Sequence, residues 1–144
     1  MNIKKYFQTT HVSTSVSLAL LLLRLIVGVA FLYHGWGKIQ NTFAWMPAGS
    51  PIPGFLQFLA ALSEFGGGAA LILGLFTPLA SLGLGLTMLV ATYFHAIVMN
   101  DPFVNLTGDG SFEPALGYLG ISVLFMALGP GKISLDALLF RIKD

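Results

Sequence analysis

Arg24 stands near the middle of Val16–Lys38, a run of apolar residues with no other charge until its last position. Glu64 stands near the middle of a second such run, Phe55–Phe76. A charged side chain at the centre of a bilayer costs about 2.5–3.5 kcal/mol on insertion scales, so each must face a protein interior and a partner. With a rise of 1.5 Å per residue, Arg24 lies about 12 Å from one membrane boundary and Glu64 about 13–14 Å from the other. Their levels then differ by about 4–5 Å in a core about 30 Å thick. The spacing predicts an Arg24–Glu64 ion pair. Such a pair could hold a polar ligand group or move protons; its plainer role would be to fix the register of two helices.

A second group of chemically able residues gathers further out. His34 and Lys38 are four apart, hence on one face of a helix, and His95 ends a later apolar run at the same expected level. Two imidazoles and an ammonium converging there could hydrogen-bond a ligand and exchange protons near neutral pH. The plainer reading is an interfacial histidine bonded to a loop carbonyl and a lysine reaching for water. His11 reads as a solvated leader residue. Tyr33, Tyr93 and Tyr118 suit an interfacial belt or packing better than ligand donation.

The elements that must position these residues are membrane helices. The chain has 144 residues, 56% of them hydrophobic and 9% charged, and a mean hydropathy of +0.83; a soluble domain carries about 25% charged residues. Four spans are predicted at about 16–38, 55–76, 79–98 and 114–128, the last slightly short. An all-α integral membrane four-helix bundle follows, a single domain over 1–144. Thr77-Pro78 reads as a helix cap with a first-turn proline, making spans 2 and 3 a hairpin. Gly83, Thr87, Ala91 and His95 form a small, polar stripe on span 3. Trp45 and Met46, in the proline-punctuated stretch Gln40–Gly54, would lie on the membrane surface or cover the mouth of the bundle. After Gly129-Pro130-Gly131, Ser134 offers an N-cap and Asp136 suits a positive first turn. Leu135, Leu138, Leu139 and Ile142 would then line the apolar face of a short interfacial helix.

Lys4 and Lys5 in the leader, with Lys132, Arg141 and Lys143 in the tail, outweigh the single Lys38 of the first loop, so both termini are predicted to be cytoplasmic. The first apolar run is too long for a signal peptide and is expected to remain as a span. A net charge of +1 excludes a broad basic face for nucleic acid. The absence of cysteine removes thiolate catalysis, disulfide relays and thiolate-held clusters. The histidines are not at metal-site spacing, so neither a metal nor a covalently attached cofactor is expected.

Several stretches, taken in order, carry a resemblance. Leu23-Arg24-Leu25 leads to Phe31-Leu32-Tyr33-His34-Gly35-Trp36-Gly37-Lys38, then Glu64 with its glycines and Gly74-Leu75-Phe76-Thr77-Pro78, and finally Gly129-Pro130-Gly131-Lys132-Ile133-Ser134-Leu135-Asp136. Over about residues 17–138 the chain resembles the DoxX family. The resemblance implies a four-helix protein of the bacterial inner membrane, multi-pass, related to membrane subunits of quinone-linked oxidoreductases such as thiosulfate:quinone oxidoreductase. It also implies Arg24, His34, Lys38, Glu64 and His95 as site residues. The reading that follows is a membrane component of a redox system. A quinone would bind near the outer face on His34, Lys38 and His95, with Glu64 and Arg24 setting charge and handling protons. Its partners would be the lipid bilayer, a soluble or membrane redox subunit and a second copy of the chain. The alternatives are a non-enzymatic scaffold for another subunit and, less favoured, a small-solute transporter.

Overall fold

The structure, a computed structural model, describes residues 12–140, and among these it is all helical. The expectations for Lys4, Lys5, His11, Arg141 and Lys143 fall outside the described residues. Helix α1 spans Thr14–Gln40, α2 Gly54–Leu73, α3 Thr77–Tyr93 and α4 Glu113–Leu128, followed by a short α5, Leu135–Leu139. The chain continues from α3 as a π-helical turn, Phe94–Val98. By length and hydropathy α1, α2 and the Thr77–Val98 unit can cross a bilayer; α4 is equally apolar but only 16 residues long.

Helix α1 packs along α2, α2 along α3 and α3 along α4. The α1–α2 contact is backbone against backbone. A Cβ at Gly35 would lie 2.5 Å from the Phe65 amide nitrogen, and one at Gly28 would lie 2.8 Å from the Gly68 carbonyl oxygen. Without side chains at these points the two helices close to van der Waals contact, which is how lipid-embedded helices associate when burial of apolar surface cannot drive them. Inside, Leu20, Val27, Phe31, Leu71, Leu84, Met88 and Phe125 form the core. Helices α1 and α4 close the ring through side chains, chiefly Phe31 against Tyr118 with centroids 4.9 Å apart.

One end of the bundle carries the long loops 41–53 and 99–112; the other carries the start of α1, the tight α2–α3 turn and the C-terminal segment. At that second, terminal end, Gly129-Pro130-Gly131 turns the chain onto α1, where the Lys132 amide donates to Ser17 Oγ at 3.2 Å. Ser134 caps α5 as expected, its hydroxyl accepting from the Ala137 amide. Leu138 is 74% exposed, the face a membrane surface would cover.

The cap of α3 differs from expectation. Thr77 lies inside the helix and its buried hydroxyl has no partner among the described residues. The cap comes instead from Asp136, whose carboxylate oxygens accept from the amides of Phe76 and Thr77 at 2.7 and 2.8 Å. Asp136 is thus wholly buried at the N-terminus of α3, where the helix dipole favours an anion, and does not serve its own short helix.

Candidate functional site

The predicted Arg24–Glu64 pair does not form. Because Gly35 abuts Phe65, Glu64 stands level with about residue 36 of α1, twelve or so residues and about 18 Å from Arg24. The expectation assumed that the two apolar runs begin at opposite boundaries with equal offsets. In fact α1 has 27 residues and α2 20, and the extra turns of α1 lie beyond the end of α2, against the C-terminal segment.

Arg24 therefore belongs to the terminal end. It is 1% exposed and its Nη2 donates to the Ile133 carbonyl at 2.5 Å, with Asp136 near enough to offset its charge. Its guanidinium lies against Gly74, where the backbone is left-handed (φ 63°) and a Cβ would collide with Nη1. Only glycine meets both conditions at that position. Nε and Nη1 have no partner among the described residues.

Glu64 is answered by Lys38. The ammonium donates to both carboxylate oxygens at 2.6 Å, with Glu64 2% exposed. Lys38 rises from the last turns of α1 but turns inward instead of reaching for water. Its Nζ lies 4.6 Å from the centroid of the Trp45 ring, a cation–π contact that adds to the carboxylate's hold. Of the two placements expected for Trp45, covering the mouth is the one found. Gln57, almost buried, staples the loop down. Its carbonyl accepts from Trp45 Nε1, its Oε1 from the Met46 amide, and its Nε2 donates to the Ile52 carbonyl, at 2.9, 3.0 and 2.9 Å.

His34 lies on the same side of α1 as Lys38, one turn deeper, and is exposed along the line between α1 and α4. Its ring meets that of Tyr118 edge-on at 6.3 Å. His95 does not join it. Gly83 faces Ser63 and Gly67 faces Leu84, so Glu64 is level with the region of Leu84, and His95 lies roughly eleven residues further, about 17 Å along the axis. There its Nδ1 is 2.7 Å from Asp101 Oδ2, while its carbonyl accepts from the Asp101 amide at 2.9 Å. The carboxylate is seated against Gly110, where a Cβ would lie 2.5 Å from it. The expected convergence of His34, Lys38 and His95 thus resolves into a Lys38–Glu64 pair between α1 and α2, an exposed His34 turned toward Tyr118 of α4, and a separate His95–Asp101 pair at the loop end.

Residue reasoning did not find Asp101, Gln57 or Asp136 as partners. Each acts across a turn or between elements, and the only sequence signal is a polar residue in the first turn of a helix, for Gln57 and Asp136, or beside a proline in a loop, for Asp101.

Residues 19–97, which hold Arg24, His34, Lys38, Glu64 and His95, match the DoxX family. The chain belongs to the DoxX family. It is 35% identical over 123 residues to the inner membrane protein YqjF of Escherichia coli (strain K12), covering 83% of this chain and 90% of YqjF. An uncharacterised protein of Haemophilus influenzae is 32% identical over 121 residues, covering 83% of this chain and 89% of its own length. A third relative, from Bacillus subtilis (strain 168), bears the name "Putative oxidoreductase CatD" and is 28% identical over 131 residues, 90% and 92% of the two chains. No solved structure matches. This DoxX protein is a multi-pass protein of the inner membrane.

Proposed function

We propose that this DoxX protein is the membrane component of a redox system and binds a small apolar redox ligand of the quinone class in the loop-end half of the bundle. The supporting observation is the Lys38–Glu64 pair, its carboxylate buried, with His34 one turn along the same helix from Lys38, an acid–base set inside a membrane protein. The name "Putative oxidoreductase CatD" of the Bacillus subtilis relative agrees with a redox role. The residues suit such a ligand: the His34 imidazole makes no hydrogen bond among the described residues, while apolar Phe31 and Tyr118 flank it.

A quinone when bound supplies a couple of two electrons and two protons, the electrons coming from a partner subunit. His34 would donate a hydrogen bond to a carbonyl. Glu64, ionised while both its oxygens accept from Lys38, would take up a proton at Oε1 or Oε2 when the ammonium swings away and give it up when the ammonium returns, and Trp45 with Gln57 would keep bulk water from the pair. Arg24, about 18 Å away along α1, orders the terminal end and takes no part in the proton step.

The test is binding of a ubiquinone or menaquinone analogue to protein in lipid nanodiscs, comparing wild type with His34→Ala and Glu64→Gln. His34→Ala should weaken binding at least about tenfold, the loss of one hydrogen bond to the ligand, and Glu64→Gln should weaken it by releasing Lys38 and the Trp45 loop seated on it. Equal affinity in all three proteins would remove the site. A second reading, a scaffold for another membrane subunit, is favoured by a groove of about 280 Å³ between α2 and α3, its floor made of small residues such as Gly66, Gly67 and Gly83 and its lining completed by Leu62, Phe76 and Leu79. Small residues there let another helix approach closely. On that reading Glu64→Gln lowers thermal stability, no ligand response changes, and a partner co-purifies.

A further inference from the structure

We propose that the seam between α1 and α4 is the port through which the ligand enters from the bilayer, and that Tyr118 is its second hydrogen-bonding residue, opposite His34. The proposal rests on the redox reading only for naming the ligand a quinone; the port and its two residues stand on geometry.

The two helices that form the seam pack through rings. Tyr118 meets Phe31 at 4.9 Å and His34 at 6.3 Å, and Phe31 meets His34 at 6.4 Å, so three rings from two helices surround one position. Phe31 is fully buried and forms the floor, while His34 is exposed. Among the described residues neither the imidazole of His34 nor the phenol of Tyr118 is hydrogen-bonded; the only hydrogen bond to Tyr118 beyond the helix pattern goes to its main-chain carbonyl, from Ser122 Oγ.

Depth makes these free groups informative. His34 lies six residues inside Gln40, the end of α1, and Tyr118 five residues inside Glu113, the start of α4. Both are therefore about 8–9 Å within the helical layer. Toward the hydrocarbon core water becomes scarce on the lipid side, and polar groups there favour a protein or ligand partner. Two independent helices present a phenol and an imidazole at one level and on one seam. A ligand at that level completes both.

Its chemistry follows from what is free and what is engaged. A phenol and an imidazole N–H donate, so the ligand offers acceptors such as ring carbonyls, and the flanking rings favour a flat body. It carries no net negative charge, because Lys38, the nearby cation, is held by both oxygens of Glu64 and by the Trp45 face. On the α1–α2 side the loop end is covered by loop 41–53, tied down by three hydrogen bonds at Gln57 with Trp45 over Lys38, while the α1–α4 seam faces sideways. The ligand is thus lipid-soluble and arrives sideways.

The experiment uses the full chain in nanodiscs and two probes, a short-chain ubiquinone analogue and an alkyl benzophenone, a flat carbonyl amphiphile that is not a quinone and photo-crosslinks where it sits. Wild type is compared with Tyr118→Phe, which keeps the ring and removes only the hydroxyl, with Tyr118→Trp, which fills the seam, and with Tyr93→Phe as a lipid-exposed control. The expected result is at least a tenfold weaker quinone affinity in Tyr118→Phe, no binding in Tyr118→Trp, no change in Tyr93→Phe, and an unchanged melting temperature in Tyr118→Phe. Quinone binding that is equal in wild type and Tyr118→Phe overturns the Tyr118 assignment and leaves the redox reading standing. Benzophenone crosslinks in the segments around His34 and Tyr118, lost in Tyr118→Trp, together with no quinone binding, support the port and overturn the redox reading. Failure of both probes to bind wild type overturns both.

Discussion

Lys38 and Glu64 are unequal partners, and their inequality is measurable. The Lys38 side chain is 26% exposed and that of Glu64 3%. Lys38→Met leaves a carboxylate with no counter-charge and no route to water, a loss of about 3–5 kcal/mol by analogy with other broken buried pairs. Glu64→Gln leaves an ammonium that can swing outward along its four-carbon stem, and the loss should be about 1–2 kcal/mol. Thermal melts of both variants in one detergent should show that order. The reverse order would mean that the carboxylate is already reached by water. At this scale the sequence was half legible. Its two deep charges announce themselves, since any charge in a long apolar run does. Their partners do not, because partnership depends on how far one helix slides along the next. Arg24 and Glu64 look matched only when the helices are assumed to start together.

The slide between α1 and α2 is set by glycines. Gly35→Ala would drive a methyl into the Phe65 backbone, which has no rotamer to change, whereas Gly37→Ala on the same helix meets nothing within 4 Å. The first should cost about 1–3 kcal/mol by overpacking and the second should be neutral or slightly stabilising through helix propensity. Equal melting temperatures for the two would show that the close approach is not what holds the helices together. The loop 41–53 is a second element with a single point of control. Gln57→Ala removes two of the three bonds that seat it, so Trp45 should show a red-shifted, more readily quenched emission, with Trp36→Phe as background to isolate the signal. Helix existence was plain from hydropathy. The π turn at Phe94–Val98 was not, nor was the pairing of His95, which lies too far along α3 to reach His34 and sits instead beside Asp101, a residue that reads in sequence as one more acidic group in an exposed loop.

For the whole molecule, the C-terminal segment fastens three elements at once: α1 through Ser17 and Arg24, the α2–α3 turn through Gly74, and α3 through Asp136. Asp136→Ala removes the cap of α3 and the counter-charge of Arg24 together, and should destabilise the fold by about 3 kcal/mol or more. Limited proteolysis should then cut the tail in the variant well before wild type. The orientation predicted from the lysines and arginines is directly testable because the chain has no cysteine. Asp109→Cys, in the loop 99–112, should react in intact cells with a thiol reagent that cannot cross the inner membrane. Reaction only after lysis would invert the topology.

The two polar ends, one built on Arg24 and the other on Glu64, are separated by about 18 Å of helix, and Val27, Phe31, Leu71 and Leu84 fill the space between. That filling makes the bundle an electrical insulator. Among the described residues no titratable side chain bridges the two ends, so on the proposed redox reading protons taken up near the loops would have no relay to the opposite face and electron transfer would run without discharging the membrane potential. Liposomes loaded with the protein should hold an imposed potential as long as empty ones do.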